Sequence, residues 1–228
     1  WGFENKPDID GDLKITILLE RMGQNTGGYF ESSNNYPTRT FANSNQREML
    51  AINAPGLFND TRKTASILAH ELHHLISFNQ KWLLRSSAED TWLEELRAEY
   101  SISLAGLNEP YERSSLQNRA REFILNPSDS LTEWQNRSGE YGAAALFGQY
   151  LTEQYSPTIL QDTFKSSVSG IGSISDYLRQ KNYRESFSDV FANWTVANYL
   201  NDLSVDPHYG YQKQELKNLH ISSIQNNL

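Results

Sequence analysis

Residues 70–74 read His-Glu-Leu-His-His, and no other stretch of the chain constrains its structure as strongly. On an α-helix, residues four apart stand one above the other, so His70 and His74 can direct ring nitrogens at a single ion. Glu71 is rotated from His70 by about 100° at ~3.6 residues per turn. It lies beside the pair and can reach a water on the ion without taking a coordination position. Two histidine ligands flanking a glutamate base is the pattern of a catalytic zinc helix. His73 lies about 100° from His74 and about 60° from His70, so three imidazoles cannot serve one ion from one helical face. It is expected beside the site or at the surface.

The flanks predict a helix. Asn59 or Asp60 can cap its start, and Thr61 to Phe78 contains no Pro or Gly. Ala65, Leu68, Leu72, Leu75 and Ile76 recur at helical spacing and predict a core-facing stripe. A catalytic zinc ion takes a third protein ligand, and residues 90–100 (Asp-Thr-Trp-Leu-Glu-Glu-Leu-Arg-Ala-Glu-Tyr) read as a second helix that can supply it. Three acids compete for the position. Glu94 falls three residues after Thr91, where a capping-box glutamate stands. Glu95 and Glu99 share a face, so that one could bind the ion while the other holds a ligand histidine by a hydrogen bond. Glu95 is the preferred ligand, with Glu94 and Glu99 as alternatives. Two His and one Glu would leave a fourth position open for water, which is catalytic coordination.

These residues resemble a known group. His-Glu-x-x-His, followed by a glutamate in a helix with another acid one turn on, looks like the thermolysin-type gluzincins. More closely, Ala69-His70-Glu71-Leu72-His73-His74-Leu75-Ile76 with Thr91-Trp92-Leu93-Glu94-Glu95 and Glu99-Tyr100 is similar to the hyicolysin family of secreted bacterial neutral metallopeptidases. The resemblance implies one zinc held by His70, His74 and Glu95, Glu71 as base, and Glu99 supporting a ligand. It extends loosely to Gly27-Gly28-Tyr29-Phe30, to Glu140-Tyr141-Gly142-Ala143-Ala144 and to Asn193-Trp194 through Leu200. Two positions depart from the family pattern: Glu94 stands where Asn is usual, and Leu96 where Gly is.

The remaining sequence fits one catalytic domain of two lobes over residues 1–228. About 1–80 is expected to be β-rich and to carry the metal helix, and about 90–228 to be helical. The fold class expected is α+β and zincin-like, with a small mixed sheet in the first lobe. Strands are predicted at Leu13–Leu19, Tyr29–Phe30 and Met49–Ile52, and helices at 116–125, 141–155, 158–164, 174–179 and 187–200. Pro110, Pro127 and Pro157 punctuate the helices. A bend is expected within 77–90. The acidic run 8–12 (Asp-Ile-Asp-Gly-Asp) reads as a turn; its glycine comes too early for a calcium loop and no closing Glu follows, so calcium is not supported.

A net charge of −8 argues against nucleic acid or an anionic membrane as the main partner. No segment approaches the ~18 apolar residues of a membrane span. Cysteine is absent, which excludes disulfides and thiolate metal sites. The chain opens Trp1-Gly2-Phe3 without Met and is read as a processed or excised segment of a secreted or cell-surface bacterial protein. An oxyanion donor is also needed. Tyr141, flanked by Gly139 and Gly142 at a helix start, is the first candidate, and His208, after Pro207, the second. Trp194, Tyr199 and Phe191 are read as core, and His220 as surface. The function expected is zinc-dependent endopeptidase action on peptide or protein. Two alternatives stand beside it: a zincin scaffold serving as an adhesin or binding module, suggested by Glu94 and Leu96, and a non-peptidase hydrolase using the same zinc-activated water.

Overall fold

The apolar run after the Asp10–Asp12 turn becomes strand β1 (Thr16–Glu20). It is joined by β2 (Gly28–Phe30) and β3 (Met49–Asn53). This is a computed structural model, and it describes residues 1–4, 9–23, 26–54 and 60–221. The sheet order is β1-β3-β2. β1 runs parallel to β3, with Thr16 opposite Met49, and β2 runs antiparallel to β3, with Phe30 opposite Leu50. Met49, Leu50, Ala51 and Ile52 of the central strand are all buried. In the turn ahead of β1, the carboxylates of Asp10 and Asp12 accept from the backbone N–H groups of Asp12 and Lys14. Asp8, the first acid of that run, lies outside the described residues.

Helix α1 (Thr61–Ser77) begins where the side chain of Asp60 accepts from the Lys63 backbone N–H at 3.0 Å. Asn59, the other candidate cap, lies outside the described residues. α1 lies over β2 and β3. A Cβ on Gly28 would fall 2.9 Å from Ile67 of α1 and 2.7 Å from the Ala51 carbonyl, so the missing side chain is what lets helix and sheet approach. The predicted stripe needs correction. Of its five residues only Leu75 is buried, while Thr64, Ser66, Glu71, His73 and Ser77 are buried with it. α1 therefore turns much of its polar surface inward. It runs directly into a π-helical turn, Phe78–Leu83, within the segment expected to bend.

Helix α2 (Thr91–Leu104) follows. Then come α3 (Ser115–Leu125), α4 (Ser138–Gln154), α5 (Ile159–Phe164), α6 (Gly170–Gln180) and α7 (Phe187–Leu200). The described chain is thus mostly helical with one small mixed sheet. No helix among the described residues is long and apolar enough to cross a membrane.

The contacts divide the chain into two units, Trp1–Ala88 with Arg97–Pro110, and Glu89–Leu96 with Tyr111–Leu228. α2 is continuous through both groupings. In the second unit α4 is the central helix, with Leu146, Phe147, Tyr150 and Leu151 fully buried. Its Gly142 meets α3 backbone to backbone, since a Cβ there would lie 2.6 Å from the Arg119 carbonyl and 2.7 Å from the Phe123 nitrogen. Trp194 belongs to this core, 5.1 Å ring to ring from Phe147. Tyr199, expected beside it, is 60% exposed instead. α6 starts four residues earlier than its apolar pattern predicts, because Gly170 takes a φ of +55° and its N–H is received by Glu89 at 2.7 Å.

Candidate metal centre

α1 and α2 carry the groups that could hold a metal. One nitrogen each from His70 and His74 and one carboxylate oxygen of Glu95 all lie within 4.8 Å of one another, and all three residues are half-buried. The His70 and His74 rings are 5.0 Å apart and edge-to-face at 72°, neighbours as expected of positions one helical turn apart. Two imidazoles and a carboxylate form a donor set suited to zinc. Among the described residues, this is the group of His, Asp and Glu side chains gathered closely enough for an ion.

Glu99 follows Glu95 by one turn and is almost fully buried. Its Oε1 stands 3.4 Å from Nδ1 of His70. Glu71 is also buried, in α1 beside His70. Glu94 sits in the first turn of α2, where a carboxylate meets the positive end of the helix dipole. Leu96 is fully buried, and its side chain occupies the space above Gly148 of α4, where a Cβ would come within 2.9 Å. Leu96 is thus a packing group.

His73 is not at the surface. It is 1% exposed and meets the edge of Trp1 at a ring distance of 5.0 Å. Trp1 is held in turn by its Nε1–H, which donates to Ser101 Oγ at 2.8 Å. Ser101 Oγ donates onward to the Arg97 carbonyl. His73 therefore works as a buried aromatic ring on the side of α1 facing the first residues of the chain.

The two oxyanion candidates, Tyr141 and His208, both belong to the second unit. The Tyr141 hydroxyl donates to Asn136 at 2.7 Å, and its ring is covered by Trp134 at 4.8 Å and by the Arg119 guanidinium at 4.6 Å. His208 is half-buried, with Nδ1 3.0 Å from Asp206 Oδ1 and Nε2 3.6 Å from Glu185. Its backbone is fixed at both ends: its N–H donates to Asp206, and its carbonyl accepts from the Tyr150 hydroxyl at 2.9 Å. The N–H donated by His208 holds the Asp206 carboxyl below the usual range, and burial raises the Tyr150 phenol. His220 is exposed.

The sequence did not foretell two buried cations. Lys81, inside the π-turn, and Arg97, two residues after Glu95, are both buried, and neither carries a sequence signal of burial. Asp206 carries a signal of a different kind, a turn: an aspartate accepts from the backbone N–H two residues on, here that of His208.

No family model matches the chain. It is similar to a curated protein of Staphylococcus hyicus, the neutral metalloprotease ShpI. The two share 30% identity over 224 residues, an alignment spanning 86% of this chain and 48% of the relative. The chain thus spans about half the length of the curated relative it matches.

Proposed function

We propose that this chain is the zinc-binding part of a metalloendopeptidase of gluzincin type with a zincin-like fold. The observation that carries the reading is the convergence of His70, His74 and Glu95, two helices supplying the donors that a metalloprotease uses. The similarity to ShpI supports the same class. His70, His74 and Glu95 would hold the ion. Zinc, when bound, supplies a Lewis acid that polarises a peptide carbonyl and makes water acidic enough to be deprotonated near neutral pH.

The protein side chains do the rest. Glu99 accepts from Nδ1 of His70, which fixes the tautomer and leaves the Nε2 lone pair for the ion. Glu71, a buried carboxylate, takes the proton of the attacking water and passes it to the leaving amine. His208 is the favoured oxyanion donor. Its Nδ1 side is oriented by Asp206 and its Nε2 faces Glu185 at 3.6 Å, longer than a hydrogen bond, a pairing an oxyanion would have to displace, whereas the Tyr141 hydroxyl already donates to Asn136 at 2.7 Å. The substrate class is peptide or protein, and the setting a secreted or surface-bound bacterial protein. The binding-module reading loses part of its basis, since packing against Gly148 accounts for Leu96.

Zinc analysis with peptide cleavage tests the proposal. The wild type should hold one zinc per chain and cleave peptides in a chelator-sensitive way. His70→Ala should lose both properties. Equal zinc in the two proteins would remove the assignment.

A further inference from the structure

Strand β1 is an edge of the sheet. The Thr16 N–H donates to the Glu48 carbonyl at 2.9 Å, and the parallel register with β3 continues unbroken to Glu20. Thr16, Leu18 and Glu20 therefore turn their backbone groups towards β3. By the two-residue period of a strand, Ile15, Ile17 and Leu19 turn theirs away from it. No strand among the described residues pairs with that side.

Exposed edges are ordinarily guarded by charges, prolines or bulges. This one is not: between Lys14 and Glu20 stand only Ile, Thr, Ile, Leu and Leu. Ile17, Leu18 and Leu19 are 49, 37 and 52% exposed in succession, so apolar surface is open on both faces of the strand.

We propose that this edge pairs antiparallel with β1 of a second copy of the chain, with Ile17 on the two-fold axis. The strand is self-complementary in that register. Ile17 opposes Ile17, and Ile15 opposes Leu19 of the other copy, so every outward N–H and C=O meets its counterpart as a hydrogen-bonded pair. On the other face, Lys14 of each copy falls directly opposite Glu20 of the other, giving an opposite-charge pair at each end of the ladder. A slip of two residues would place Glu20 against Thr16 and Lys14 against Met22, so the charges select the register. Glu20 lies on that face, where its Oε1 accepts from the Tyr29 hydroxyl at 2.8 Å across Ala51, a bond that draws it inward and that pairing with Lys14 would have to replace. The two sheets become one of twice the width, with Ile15, Ile17 and Leu19 of both copies forming apolar pairs on the face that carries α1.

Sedimentation equilibrium of the full chain, from about 1 to about 100 µM with one zinc per chain, tests this. Comparisons are made in a Tyr29→Phe background, so that loss of the Tyr29–Glu20 bond is common to every sample. Dimer should form in the Tyr29→Phe protein. Lys14→Glu should raise the dissociation constant about ten-fold or more by setting like charges opposite each other at both ends. The double charge swap Lys14→Glu/Glu20→Lys should return it to within about three-fold of the starting value. Ile17→Lys, at a half-exposed position, should leave a monomer with an unchanged circular dichroism spectrum. A protein that stays monomeric throughout overturns the proposal. So does a dimer indifferent to Lys14→Glu, or one the double swap does not recover, since another face would then be pairing.

Discussion

Glu99 Oε1 lies 3.4 Å from Nδ1 of His70, one helical turn beyond Glu95, which joins the metal-donor group. A single helix thus carries one carboxylate of the candidate metal group and another beside the His70 ring. Glu99→Gln keeps the shape but removes the charge that orients the imidazole. Zinc affinity measured by chelator competition should fall about 10–100-fold, with folding unchanged. Affinity equal to wild type would mean that the contact does nothing for the ion.

His208 and Tyr141 make opposite predictions as oxyanion donors. His208→Ala should lower kcat about 10²-fold with little change in KM, the pattern of a contact made only in the transition state. Tyr141→Phe should stay within a few-fold of wild type. The reverse outcome would give the role to Tyr141.

Glu153 is a half-buried carboxylate whose oxygens accept from Gln149 Nε2 and from the backbone N–H groups of Gln212 and Lys213, which fastens the segment after Gly210 to α4. Burial raises its pKa, against the pull of these donors. A folded pKa above the unfolded one means that ionised Glu153 subtracts from stability, and the loss is recovered as pH falls through the folded value. Glu153→Gln turns an amide donor towards other donors and should cost about 1–3 kcal/mol. The variant does not titrate, so its deficit relative to wild type should widen on going from about pH 7 to about pH 5. Urea unfolding at the two pH values measures this, and a deficit that narrows would contradict it.

Gly142→Ala places a methyl where α3 and α4 meet backbone to backbone. Neither main chain can yield without moving a helix, so the cost should be about 1–3 kcal/mol in thermal or urea unfolding. A neutral result would mean that the helices can part freely.

Much of this was legible from the chain. Asp60 and the long run without Gly or Pro foretold α1, and the Glu95–Glu99 spacing foretold two acids on one face. What sequence could not give were features set by neighbours distant in the chain. The stripe of Leu68, Leu72 and Ile76 assumed one apolar partner for α1, yet the helix also receives Trp1 on His73, so burial follows its surroundings more than its hydropathy. Leu96 looked like a departure with functional meaning until its partner, Gly148 on another helix, accounted for it. The π-turn at Phe78–Leu83 has no sequence rule of its own, because its residues would also continue an α-helix.

The central claim is that Glu71 performs proton transfer beside an ion it does not bind. Glu71→Gln is nearly isosteric and leaves His70, His74 and Glu95 intact, so the decisive measurement is zinc content and peptide hydrolysis on the same preparation. One zinc per chain is expected, as in wild type, with kcat/KM lower by about 10⁴-fold, the upper end of general acid–base contributions. Chelator-sensitive hydrolysis that survives undiminished in Glu71→Gln would contradict it.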